Sequence, residues 1–105
     1  MPEAEELKAG SEDWEPFDVG TVKWLRNDAR SRSGIWRCRA SDQPDAHEVE
    51  FEHDETIHVL KGRARVEVID GPTVELRVGD SAAFYKGTVG RWTLLEDFEE
   101  FFVYH

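Results

Sequence analysis

Four histidines, one cysteine and a dense run of carboxylates are the groups in this 105-residue chain with metal-binding or proton-transfer chemistry. Seven acids fall between residues 42 and 55: Asp42, Asp45, Glu48, Glu50, Glu52, Asp54 and Glu55. Carboxylates, alone or with imidazole, can hold Mn or Fe, which makes Glu48, Glu50, His53 and Glu55 the candidate ligands. On a regular strand side chains alternate, so Glu48 and Glu50 point away from Glu55. A shared ion would need a bulge near residues 52–54, with His53 joining. His47-Glu48-Val49-Glu50-Phe51 misses the zincin pattern, because its second histidine is Phe51 and its surroundings read as strand. His53 and His58 are five apart and face opposite sides of a strand. His47 and His105 read as ordinary exposed imidazoles. Cys38 has no activating neighbour in sequence and reads as a small buried hydrophobe.

Glu55 stands apart from the other acids. Its alternate row is Val49, Phe51, His53, Glu55, Ile57 and Val59, the more apolar of the two faces. A carboxyl beside Phe51, Ile57 and Trp92 is desolvated and its pKa raised, which suits acid/base work. The alternative is a structural carboxylate fixed by a hydrogen bond or an arginine. Trp36, Phe84, Trp92, Phe102 and Tyr104 alternate with charged or smaller residues, and most of them read as core. Near the open end of an all-β fold, some such positions line a cavity instead. The expected ligand-binding set is Trp36, Phe51, Glu55, Phe84, Tyr85, Trp92 and Tyr104, centred on Glu55 and Trp92.

The elements that must carry these residues are strands. From Val19 onward the segments VGTVKWL, SGIWRCR, HEVEF, ETIHVL, RARVEVI, TVELRV, SAAFY, RWTLL and EFFVY are short and rich in β-branched and aromatic residues. Gly62, Gly71, Gly79 and Gly87 recur at the rhythm of an antiparallel meander. Asp70-Gly71-Pro72 signals a hairpin in which Gly71 is free to take positive φ. No helical period is sustained in this part, so the fold class is all-β, a sandwich or barrel. Residues 1–16 form an acidic arm, mobile or docked through Trp14 and Phe17, ahead of a barrel over 17–105.

Composition narrows the partners. One domain is expected at this length, and 39% hydrophobic and 11% aromatic content supports a core. The net charge of −10 argues against a nucleic-acid backbone or an anionic membrane as partner. A single cysteine excludes an intrachain disulfide and a multi-cysteine zinc site. The first ten residues lack the basic and apolar regions of a secretory signal, so a cytoplasmic location is expected. A basic stretch over residues 23–39 offers Arg37 and Arg39 to those acids or to a second copy of the chain.

Four motifs in order resemble a known family. Glu55 followed by Gly62, in Asp54-Glu55-Thr56-Ile57-His58-Val59-Leu60-Lys61-Gly62, resembles the first cupin motif. Gly79-Asp80-Ser81-Ala82-Ala83-Phe84-Tyr85-Lys86-Gly87 resembles the second. Ser33-Gly34-Ile35-Trp36 and Gly90-Arg91-Trp92-Thr93-Leu94-Leu95-Glu96 resemble two strands of the small cupins of (S)-ureidoglycine aminohydrolase and ethanolamine-utilisation type. The resemblance spans about residues 17–105. It implies a conical antiparallel β-barrel (double-stranded β-helix, jelly-roll-like), commonly a homodimer, with a pocket at the wide mouth.

The departures from that pattern direct the functional expectation. The usual His-x-His positions hold Val49 and Phe51, or Glu48 and Glu50, depending on spacing. The second-motif histidine position is Gly90, its proline position is Tyr85, and the frequent Arg-Lys before the last strand is Glu99-Glu100. Of the usual ligands only Glu55 stands in place. The expectation is therefore a small-molecule-binding cupin with a degenerate metal site, binding a small polar or aromatic ligand as a sensor, accessory protein or metal-independent enzyme. No cofactor is expected; a divalent Mn, Fe, Ni or Zn, if bound, would sit on Glu55 with Glu50 or His53. Two alternatives stay open: a metal-dependent hydrolase or isomerase of nitrogen or sugar metabolism, and a non-catalytic interaction module. Fold membership does not choose among them.

Overall fold

The structure, a computed structural model, describes residues 4, 6, 7 and 14–105. The described chain forms strands β1 (Glu15–Pro16), β2 (Thr21–Asn27), β3 (Arg32–Cys38), β4 (His47–Glu50), β5 (Glu55–Lys61), β6 (Arg63–Val68), β7 (Thr73–Arg77), β8 (Ser81–Phe84), β9 (Val89–Leu94) and β10 (Phe98–Tyr104). One 3-10 turn, Ala40–Asp42, follows β3. Every apolar stretch read from the sequence becomes a strand. No helix among the described residues is long and apolar enough to cross a membrane.

The strands form two antiparallel sheets, a six-stranded one in the order β1-β2-β3-β10-β5-β8 and a four-stranded one in the order β4-β9-β6-β7. This corrects the meander. Glycine spacing shows where the chain turns, but not which sheet it enters next, and from β4 onward the chain passes repeatedly between the sheets. Among the described residues the hydrogen-bonded ladders leave two sheets, not one continuous ring. The expected single alternation from His47 to Leu60 is likewise divided. Residues 51–54 leave β4 in one sheet and deliver β5 to the other, so the anticipated bulge is a crossover.

Alternation places the core where it was read. Ala64 and Val66 of β6, Leu76 of β7, Ile57 and Val59 of β5, and Phe98 and Phe102 of β10 are all buried between the sheets. Cys38 is buried with them as a free thiol, its pKa raised by burial and by Asp42 and Asp97. The expectation of a mobile or docking acidic arm falls mainly on residues 1–3, 5 and 8–13, outside the described residues. At the described end, Glu15 and Pro16 pair with Val22 and Thr21 of β2, and Glu15 accepts a 2.6 Å hydrogen bond from Trp24 Nε1. The Arg37 guanidinium lies 3.8 Å from the centre of the Trp14 ring, while Arg39 pairs with Asp42 at 3.5 Å.

Two turns show how the corners are made. In the β6–β7 hairpin it is Asp70, not Gly71, that takes the left-handed conformation, at φ 63°. Asp tolerates this region through local hydrogen bonding. A Cβ on Gly71 would lie 2.8 Å from Val68 Cγ1, so that glycine serves close approach. Between β5 and β6, Gly62 alone turns the chain from one sheet into the other at φ 79°. A Cβ there would meet the Asp97 carbonyl oxygen at 2.0 Å. Gly79 also has positive φ, but faces open space. Gly79→Ala is therefore expected to cost about 1 kcal/mol, the backbone penalty alone. Gly62→Ala adds the collision and should cost roughly 3 kcal/mol or more. Urea unfolding of the two variants measures the gap, and equal costs would refute this account of the corner.

Candidate functional site

Strand β10 runs between β3 and β5 at the middle of the six-stranded sheet. Its alternation sends Phe98, Glu100, Phe102 and Tyr104 to the inner face, where Glu100 lies opposite Trp36 on one side and Val59 on the other. The β5 register shifts between Glu99 and Glu100, so two residues of β5 span one step of β10. Such bulges re-aim side chains next to sites. Tyr104 pairs with Glu55, the first residue of β5. The register thus puts two carboxyls and a phenol on one wall.

That wall faces a cavity of about 140 Å³. Trp36 of β3, Glu55 of β5, and Glu100, Phe102 and Tyr104 of β10 line one side. Val49 of β4, Phe51 just after that strand, and Trp92 of β9 line the other, with Phe17–Val19, Gln43 and His47 completing it. The Trp36 indole donates a 2.6 Å hydrogen bond to the Val19 carbonyl and meets Trp92 edge-on, ring centres 6.4 Å apart. Such edge-to-face pairs fix ring orientation. Phe51 stacks on Phe84 with centres 4.7 Å apart and planes 4° from parallel.

The electrostatics follow from these apolar walls. Glu100 is 4% exposed, and its Oε1 has no hydrogen-bond partner. Burial, then the neighbouring Glu55, raises its pKa well above the ordinary value. Burial pushes Glu55 up to about 7. Tyr104 is raised by burial and then by both carboxyls. No lysine or arginine is among the described residues lining the cavity. The Arg32 guanidinium lies 5.6 Å from the Tyr104 ring and 4.7 Å from that of Trp24. Gln43 Nε2 is a second buried polar atom without a partner. A pair of carboxyls in such a space is neutral or shares a proton, as like charges cannot both ionise cheaply there.

The structure brings Trp36, Phe51, Glu55, Trp92 and Tyr104 of the expected ligand-binding set to the cavity. Phe84 lies in the core behind Phe51 and does not line it. Tyr85 is 70% exposed beyond the end of β8, where alternation has lapsed into a turn. Glu50 and His53 are exposed; the His53 ring lies 5.3 Å from that of Tyr104. Among the described residues no three His, Cys, Asp or Glu side chains gather as metal ligands. A Cβ at Gly90 would lie 2.9 Å from Val66 Cγ1 and 3.5 Å from Phe51 Cε2. The third atom nearest to that Cβ is Trp92 Nε1, at 3.8 Å, so the second-motif histidine position is enclosed by apolar and aromatic side chains.

Sequence reasoning noted Glu100 only as a departure from the family pattern. The signal that finds it is period two: Phe98, Glu100, Phe102 and Tyr104 form one row. Gln43 and His47 come from a turn and a strand start, where no periodicity points inward.

Residues 25–102 match the model of a family described as the EutQ-like cupin domain. Among solved structures, the EutQ protein of Clostridium difficile superposes with a TM-score of 0.69 at 17% identity, covering 96% of this chain and 75% of that one. A cupin-2 domain protein from Shewanella frigidimarina gives 0.64 at 12% identity, covering 83% and 81%. A DUF861 family protein from Thermotoga maritima gives 0.58 at 26% identity, covering 65% and 73%. No curated protein matches the chain.

The raised carboxyls make stability depend on pH with a defined sign. The unfolded chain releases the Glu55 proton near 4.5, the folded one near 7, so between these values the folded state holds the extra proton. Stability is then full below about pH 4.5 and falls as pH rises towards 7. Glu55→Gln removes this loss and is expected to be up to about 3 kcal/mol better off relative to wild type at pH 8 than at pH 4. Denaturant titrations at the two pH values measure the difference; a pH-independent difference would contradict the burial of Glu55.

Proposed function

The chain belongs to the EutQ-like cupin domain family, and we propose that it is a small-molecule-binding cupin that works without a divalent metal. One observation carries the reading: the cavity between the sheets combines Glu55 and Glu100 with the rings of Trp36, Trp92 and Tyr104. Concave, largely apolar sites with a few convergent polar groups are the ordinary form of a ligand pocket. Buried carboxyls without a cation destabilise the fold, and such groups concentrate where function needs them. Glu55, pushed up to about 7, holds or releases a proton near neutral pH and is the acid/base candidate of the site. The aromatic rings orient a bound molecule, and the apolar walls keep it from water.

The metal-free reading is supported by the chemistry of the donor positions. In the resemblance the His-x-His positions fall on Val49 and Phe51, which offer no ligand atoms, or on Glu48 and Glu50, which are exposed; Gly90 offers none, and His53 is exposed beside the Tyr104 ring. The homodimer belongs to the same reading; its support is the outward row of β10, where Phe101 and Val103 are half-buried on the face away from the cavity. Sedimentation velocity at micromolar concentration should give a dimer.

Two measurements test the function. Elemental analysis of protein purified without a metal-chelating tag should give far less than one Mn, Fe, Ni or Zn per chain. One equivalent, lost on Glu55→Gln, would overturn the metal-free reading. A thermal-shift screen of small polar and aromatic compounds should yield ligands whose effect falls by at least half in Trp92→Phe. Equal shifts in both proteins would remove the cavity as the binding site.

A further inference from the structure

The cavity has a charge pattern that selects among ligand classes. Asp18, Glu55 and Glu100 are its acids, and no described lining residue is a lysine or arginine. Glu100 Oε1 is buried with nothing to accept from, on the central strand of the larger sheet. Opposite the carboxyls stands an indole, and a second indole and a phenol flank them. The faces of such rings attract cations, most strongly when the cation is desolvated. An anionic ligand would find no described lysine or arginine here to balance its charge beside Asp18, Glu55 and Glu100. Among the described residues no three His, Cys, Asp or Glu side chains gather to hold a divalent metal ion. A buried charge is tolerated when it is paired, and none of the described lining residues supplies the pairing charge.

We propose that the cavity takes a small organic cation, its N–H donors on Glu55 and Glu100 and its carbon skeleton between the rings of Trp36, Trp92 and Tyr104. This rests on the reading of the cavity as a ligand pocket and names the class of ligand. The volume of about 140 Å³ limits the guest to a few heavy atoms, since a cavity of nearly this size holds a benzene-sized molecule. One cation balances one ionised carboxylate, while the second carboxyl keeps its proton and donates or accepts a hydrogen bond. The partnerless Gln43 Nε2 is a donor that an oxygen on the ligand can satisfy.

The test uses three probes of equal length: propylammonium chloride, 1-propanol and sodium propionate. Each is titrated into the full chain at pH 7.5 and fixed ionic strength, following tryptophan fluorescence and calorimetric heat. Propylammonium should bind at least tenfold more tightly than propanol, and propionate should not bind. Glu100→Gln should weaken propylammonium at least tenfold and change propanol by less than twofold. Glu55→Gln, checked with the first variant for native near-ultraviolet circular dichroism, provides the same test if Glu100→Gln does not fold. Binding of propanol or propionate as tight as propylammonium would overturn the cation while leaving the pocket in place. Absence of propylammonium binding, or binding unaffected by either substitution, would also overturn it. The pocket reading itself fails separately, through screen ligands that ignore Trp92→Phe.

Discussion

Phe98, Glu100, Phe102 and Tyr104 leave one face of a strand that sits at the centre of its sheet, so the Glu100 carboxyl is buried wherever the other three are buried. The chain cannot expose it without turning three aromatic rings into solvent, because a one-residue slip inverts the whole row. Burying those rings contributes on the order of 2 kcal/mol each, and this holds the carboxyl in a place that it does not favour. Its own low-energy state there is the neutral acid. The neighbouring Glu55, one register step beyond Phe102, raises the cost of ionisation further. The raised Tyr104 pKa follows from the same burial and from the two carboxyls beside it.

The other sheet is adapted to the same space. Phe51, on the crossover after β4, lies where alternate spacing in the family places a histidine, and its ring lies flat on Phe84. Gly90 stands at the second-motif histidine position, and Val66 and Phe51 pack so closely there that a Cβ would lie 2.9 Å from Val66 Cγ1. Aromatic contacts fill this side of the cavity. Its two buried carboxyls come from β5 and β10, which both belong to the six-stranded sheet.

Most of the fold was legible in the residues because strand and turn signals are local. The nine apolar stretches, the glycine turns and the inward rows of β5, β6 and β10 all follow from period two and from turn chemistry. The partition between two sheets was not legible, since Gly62 marks a corner without saying whether the next strand folds back or crosses over. The left-handed residue of the β6–β7 turn was assigned to Gly71 when Asp70 takes it, as both residue types tolerate that conformation. Within the site, Glu55, Trp36, Phe51, Trp92 and Tyr104 were recoverable from alternation. Tyr85 was not, because alternation carries no information past the end of β8, and Phe84 belongs to the layer behind the cavity wall. Glu100 was legible in its row, but a charged pair beside a turn, Glu99-Glu100, resembles surface until the neighbours on both sides are known.

The central claim is that two glutamates of the inner face are protonated at pH values where glutamates are ordinarily ionised. Carbon-13 detection of glutamate carboxyl resonances across pH, with assignment through Glu55→Gln and Glu100→Gln, reads this directly. One carboxyl should titrate near 7 and the other well above the ordinary glutamate range. Ordinary titration of both groups near 4.5 would show that water or a counter-charge reaches them, and would contradict the account.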